Sequence, residues 1–394
     1  MPAFNTPDWM LTALDERRQQ HLFRSTKVMA SPQSTRLTQD DKEYLAFCSN
    51  DYLGLANHPL LKQTMADAAQ QFGVGSGASH LVCGHLDAHA ALEQELCEWL
   101  GYERVLLFST GYMANLAVIS ALANKQRPVL MDKLNHASLI DGARLSDAIF
   151  KRYLHNNVES AAKHMASLGQ AGVLASDGIF SMDGDRAPLA ALANLAQQQD
   201  WLLVVDDAHG LGCMGEDGKG TLALENLSSE QVPFLMGTFG KAFGVAGAFV
   251  ACSNDMADYL TQFARPYIYT TAMPPAVAAT VQASLQLIRA PEGEQRRQTL
   301  AQHVALLRQR AAAWPYDMMP SDSAIQPLLI GSSEQALGIS AALQQRGILC
   351  KAIRPPTVPP HTARLRITLS AEHSREDVEH LCDTLDAIFH DVSE

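Results

Sequence analysis

Six short runs of consecutive apolar residues mark the middle of the chain, at residues 105–108, 129–131, 172–175, 202–205, 234–236 and 247–250. Unbroken runs of this length, as opposed to alternating ones, predict strands buried on both faces. Helical stretches separate them from about Pro59 onward, so the pattern predicts an α/β fold around a mostly parallel sheet. Ahead of this region, residues 8–24 carry Leu11, Leu14 and Leu22 among charged and amide side chains and predict an amphipathic helix. A short strand is expected at residues 44–48.

The texture changes after Pro274-Pro275. A long helical run reaching about Ala313 is expected there, followed by a strand at 325–330 and a helix at 334–346 closed by Gly347. Strands at 348–353 and 364–369 and a last helix at 375–389 complete a small α+β unit. The expected division is an N-terminal arm (1–58), a large domain (59–285) and a smaller C-terminal domain (286–394).

Composition narrows the function classes. The chain has 394 residues, 47% of them hydrophobic, enough for a substantial core. A formal net charge of -12 argues against a nucleic-acid partner, which draws on a basic field. No apolar stretch is long enough to span a bilayer, and the opening MPAFNTPDWM lacks a basic region followed by an apolar run, so the expectation is no membrane partner and a cytoplasmic location. Seven widely spaced cysteines without a CxxC pair fit reduced thiols in that compartment.

In open α/β sheets ligands sit beyond the carboxyl ends of the strands. There this sequence places its polar residues: Ser109-Thr110-Gly111-Tyr112 opening a helix, His136, Ser181, Asp206-Asp207-Ala208-His209 and Gly237-Thr238-Phe239-Gly240-Lys241. A small-residue turn leading into a helix suits a phosphate. A lysine amine can form an imine, and a carboxylate can keep a pyridine nitrogen protonated so that the ring accepts carbanion electrons. Together they point to pyridoxal 5'-phosphate, with Lys241 as the Schiff-base lysine and Asp206 as the pyridinium partner.

The segments Asp206-Asp207-Ala208-His209-Gly210 and Thr238-Phe239-Gly240-Lys241 resemble the α-oxoamine synthases, fold type I enzymes that condense an amino acid with an acyl thioester. The resemblance runs from Ser49-Asn50-Asp51-Tyr52-Leu53-Gly54 to Arg364-Leu365-Arg366. It implies a fold type I transferase and a homodimer. By resemblance His136 stacks over the cofactor ring, His209 and Ser181 lie near its oxygen, and Gly111, Tyr112 and Thr238 hold its phosphate. Thr271 matches a residue lent to the neighbouring subunit's phosphate. Arg354 would bind the amino-acid carboxylate with help from Asn50, and Arg24 and Thr357 match positions near the acyl substrate. Ser181-Met182-Asp183-Gly184-Asp185 and Ile353-Arg354-Pro355-Pro356-Thr357-Val358-Pro359 are most similar to the branch serving biotin formation, which implies L-alanine and pimeloyl-CoA or pimeloyl-acyl carrier protein as substrates. Relatives using glycine or serine, a fold type I aminotransferase and a non-catalytic partner subunit are the alternatives. Most relatives carry glycine where this chain has His361, so that turn must differ or His361 must accept its backbone angles.

Other motifs carry less. Gly237 to Lys241 lacks the spacing of a nucleotide P-loop and is followed by Ala242, and Gly73-x-Gly75-x-Gly77 follows a helical stretch, not a strand. His85, His89 and Glu93 recur every fourth residue as metal ligands would, but suit an ordinary helix start. Asp183-Gly184-Asp185 lacks the other oxygens of a calcium loop and reads as a tight turn. No metal is expected.

Overall fold

The computed structural model describes residues 5–20 and 22–393. Near the N-terminus β1 (Arg36–Gln39) and β2 (Lys42–Ala46) pair antiparallel. The central sheet is built from β3 (Arg104–Phe108), β4 (Val129–Asp132), β5 (Phe150–Tyr153), β6 (Val173–Asp177), β7 (Leu202–Asp206), β8 (Phe234–Thr238) and β9 (Ala248–Cys252). Towards the C-terminus come β10 (Ile325–Gly331), β11 (Ile348–Leu349), β12 (Lys351–Ile353) and β13 (Ala363–Thr368).

Among the described residues the central sheet has seven strands in the order β3-β9-β8-β7-β6-β4-β5. Only β9 runs against the others, pairing antiparallel with both β3 and β8. The apolar runs are continuous because neighbouring residues enter different cores. Leu203 and Val205 of β7 join one cluster, with Leu192 and Val281 from helices on that face. Val204 joins the other, with Ala114, Val118 and Leu139. The carboxyl ends of β3, β4, β6, β7 and β8 therefore share one sheet edge, between two helical layers.

Several expectations need correction. The sheet has a seventh strand, β5, at an edge where half-exposed Phe150 and Lys151 and exposed Arg152 obscure the apolar signal. The N-terminal helix spans Asp8–Gln19 and none of its residues is buried, so its leucines do not pack on the described chain. The run after Pro275 is two helices, Pro275–Arg289 and Pro291–Ala311, because a proline opens the second. The strand expected at 348–353 splits at Cys350. Its first half, β11, pairs parallel with β2, and its second half, β12, pairs antiparallel with β13. The C-terminal part thus shares a sheet with the N-terminal arm. Among the described residues no helix is long and apolar enough to cross a membrane.

Candidate active site

Each polar cluster begins where a strand stops. Beyond β3, Thr110 caps the helix Gly111–Leu122 by accepting the amide of Met113 at 3.2 Å. The first residues of that helix, Gly111 and Tyr112, line the cavity, and a Cβ built on Gly111 would lie 3.7 Å from Thr238. Beyond β4, His136 caps the helix Ala137–Leu145, and its Nδ1 lies 2.7 Å from the Ser138 hydroxyl. Beyond β8, the chain turns through Phe239–Gly247 back into β9. Phe239 donates its amide to the Gly247 carbonyl at 2.8 Å, and Gly244 donates to that of Lys241 at 2.8 Å. Gly244 has φ +67° and backs onto the chain at Ala56, where a Cβ would come within 2.4 Å of an amide nitrogen. Only glycine allows that approach, which sets the loop carrying Lys241.

These elements enclose a cavity of about 170 Å³ whose wall includes Gly111, Tyr112, His136, Ser181, Asp206, His209, Thr238 and Lys241. Eight of the residues singled out from sequence thus meet in one place. Lys241 Nζ lies 2.8 Å from His209 Nε2. Burial pulls the Lys241 amine down to about 8 against the opposing pull of Asp206 and Asp177. Burial and the nearby Lys241 also hold His209 well below the usual imidazole range. His136 is lowered as well, by burial above all, with Asp206 opposing.

Sequence reasoning missed three groups: Asn115 and Asp177, which line the wall, and Tyr52, which stands behind it. Asn115, 1% exposed, donates from Nδ2 to Asp206 Oδ2 at 2.7 Å, and Asp206 Oδ1 accepts the Ala208 amide at 3.0 Å. Asp177, at the end of β6, stands beside Asp206 in the ladder and accepts the His136 amide at 3.0 Å. Burial, and after it the neighbouring Asp206 carboxylate, raise Asp177 well above the usual carboxylate range. Tyr52 reaches from the arm to His209 Nδ1 at 2.6 Å. Asn115 lies four residues beyond Gly111 on one helix face, the single cue that could have found it.

A second cavity of about 300 Å³ shares His136, Ser181, His209 and Lys241 and adds Asn50, Lys351 and Arg366. Arg366 was not singled out, yet it is the guanidinium on this wall, donating to the Ser181 carbonyl at 2.7 Å. Arg354, Thr357, Arg24 and Thr271 line neither cavity. Arg24, Thr271 and Thr357 are exposed. His85, His89 and Glu93 do adjoin, but His89 spends both ring nitrogens, on the Met273 carbonyl at 2.7 Å and the Leu86 amide at 3.0 Å. Asp183-Gly184-Asp185 is a turn whose Gly184 has φ +72° and sits against the Ile325 carbonyl. Its acids are engaged by Arg364 and His155.

Comparison with known proteins gives this arrangement its family. Residues 42–385 match the family model of class I and II aminotransferases. An 8-amino-7-oxononanoate synthase of Marinomonas sp. (strain MWYL1) is 62% identical over 386 residues, 98% of this chain and 96% of that protein. The chain belongs to the 8-amino-7-oxononanoate synthase family. Among solved structures, the serine palmitoyltransferase of S. paucimobilis with a bound PLP–myriocin aldimine superposes with a TM-score of 0.91 at 28% identity, covering 98% of each chain. The 8-amino-7-oxononanoate synthase of Francisella tularensis superposes with a TM-score of 0.78 at 29% identity, over 89% of this chain and 98% of that one. The fold is that of the fold type I transferases, as the motifs of this synthase family implied.

Proposed function

We propose that this 8-amino-7-oxononanoate synthase family member joins L-alanine to a pimeloyl thioester, carried on coenzyme A or acyl carrier protein. The products are 8-amino-7-oxononanoate, carbon dioxide and free thiol, as biotin formation requires. The observation that supports this most is one cavity wall: a lysine amine lowered to about 8, a carboxylate with only neutral hydrogen-bond donors, and a helix N-terminus.

Pyridoxal 5'-phosphate fits that wall. Lys241 would hold its aldehyde carbon, Asp206 its ring nitrogen, and the amides at Gly111 with Thr238 its phosphate, joined by Thr271 of a second copy. When bound, the cofactor supplies a sink for electrons released at the alanine α-carbon. The protein's residues do the rest. Lys241 Nζ, freed by alanine, takes the α-proton and later returns one. His209 accepts from Lys241 and keeps the amine oriented. His136 would face the cofactor ring and polarise the thioester carbonyl. Asn115 holds Asp206 in place beside Asp177.

For the alanine carboxylate the geometry favours Arg366, with Asn50 beside it, while the family pattern favours Arg354. Comparing the alanine KM of Arg366→Ala and Arg354→Ala decides between them. Arg24 and Thr357 take the acyl chain. We read the chain as an arm (1–58), a large domain (59–285) and a small domain (286–394), working in the cytoplasm as a homodimer and acting as an acyltransferase. The test is thiol release across a matrix of amino acids and acyl thioesters. Alanine with pimeloyl thioester should be fastest. Faster turnover of glycine with acetyl thioester would overturn the reading, and keto-acid exchange without thiol release would make the protein an aminotransferase.

A further inference from the structure

The outer wall of the second cavity carries two cations. Lys351 of β12 and Arg366 of β13 are directly opposite in the ladder, so their side chains share one face of the sheet. Both line the cavity, and no carboxylate does. Arg366 is 8% exposed, and its partners are the Ser181 carbonyl and the side chains of Asn50 and Thr368, all neutral. Lys351 is exposed at the rim.

Among the described residues neither cation forms an ion pair, although Arg364, two residues earlier on β13, is paired with Asp183. Like charges facing each other across a ladder repel, and a buried guanidinium without a counter-charge is costly. An anion between them relieves both costs. A carboxylate suits best, because the guanidinium offers it a planar fork and the ammonium a mobile point charge.

We propose that Lys351 and Arg366 form a carboxylate-binding pair in which Lys351, at the rim, is the outer substrate contact. This rests on the reaction proposed above, which brings two carboxylates to the cavity: that of the amino acid and the far end of the pimeloyl chain. Lys351 makes the site prefer substrates that carry the free acid over their esters or amides.

The experiment is calorimetric titration of the holoenzyme with L-alanine and, separately, with pimelate, for the wild type, Lys351→Gln and Lys351→Arg, with L-alaninamide and pimelamide as uncharged controls. The Gln variant should bind one of the two acids about tenfold more weakly, the Arg variant should recover most of that loss, and the amides should not distinguish the three proteins. Weaker alanine binding assigns the amino-acid carboxylate, and weaker pimelate binding assigns the acyl end. Equal binding of both acids by wild type and Lys351→Gln overturns the pair, as does a wild type that binds neither. A wild type that binds through Lys351 yet releases no thiol from alanine and pimeloyl thioester removes the proposed reaction and leaves the pair standing.

Discussion

Lys241 Nζ lies 2.8 Å from His209 Nε2, and the opposite nitrogen of the same ring lies 2.6 Å from the Tyr52 hydroxyl, which donates to Asn50 at 3.2 Å. With His209 neutral, the hydrogen-bond order assigns one tautomer: Nε2 accepts from Lys241, Nδ1 donates to Tyr52, and Tyr52 passes its proton towards Asn50. The arm thereby reaches the amine through two rings.

Lys241 should react as a neutral amine at a pH well below that of an ordinary lysine. Its ordinary value of 10.5 falls to about 8, so cofactor attachment to apoprotein should accelerate with pH through a midpoint near 8. Borohydride should fix the cofactor to the wild type and not to Lys241→Ala. A midpoint near 10.5, or fixation in the alanine variant, contradicts the assignment.

Asp206 should matter to turnover more than to attachment. Asp206→Asn keeps the shape and removes the charge, so thiol release should fall by about 10²–10³-fold while the cofactor remains reducible onto Lys241. Asn115→Leu, which removes the donor to Asp206, should cost roughly tenfold. If Asp206→Asn retains full activity, the carboxylate has no electronic role.

The His155 network should make stability depend on alkaline pH. Burial alone would lower His155, but hydrogen bonds to Asp132 at 3.0 Å and Asp185 at 2.8 Å outweigh it and raise the imidazole from 6.5 to about 10. A base raised in the folded state stabilises fully below its unfolded value and loses that contribution as pH climbs through its folded value. The gap in denaturant midpoint between wild type and His155→Gln should therefore be widest near pH 6 and shrink towards pH 10. A gap that grows across that window would reverse the sign.

His361 adopts φ +62°, in the left-handed region that favours glycine. Holding a non-glycine residue there costs about 1 kcal/mol, partly offset by the greater freedom glycine has when unfolded. His361→Gly should be neutral or stabilising by under about 1 kcal/mol, and the β-branched His361→Val should destabilise by more than about 1 kcal/mol. Thermal unfolding of both variants distinguishes strain from a supportive contact.

Thr271 is exposed and lines neither cavity of its own chain. In a two-fold dimer with shared sites, inactive Lys241→Ala and inactive Thr271→Ala subunits should regain activity when mixed, because one site per heterodimer recovers both groups. An active monomer in sedimentation at assay concentration would reject this.

Much of the cavity at the sheet edge was legible along the chain because a parallel sheet writes two local signals. Strands buried on both faces appear as unbroken apolar runs, and the polar residues that follow each run collect at one edge. Lys241, Asp206, His136, Ser181 and the turn at Gly111 were found this way. The same rule hid β5, whose edge position spares it full burial, and the switch of sheets at Cys350, where no residue type announces which neighbour each half will pair with.

What only the tertiary structure decided is which distant groups complete each pair. Asn115 and Asp206 are 91 positions apart, Tyr52 and His209 are 157 apart, and Arg366 and Asn50 are 316 apart. Hydrogen bonds of that span leave no periodicity in a sequence, because they depend on how helices and sheets pack and not on local spacing. The sequence by itself determined where the polar residues would gather; packing lowered the Lys241 amine and placed Lys351 opposite Arg366, since both follow from burial and register that neighbouring residues do not encode.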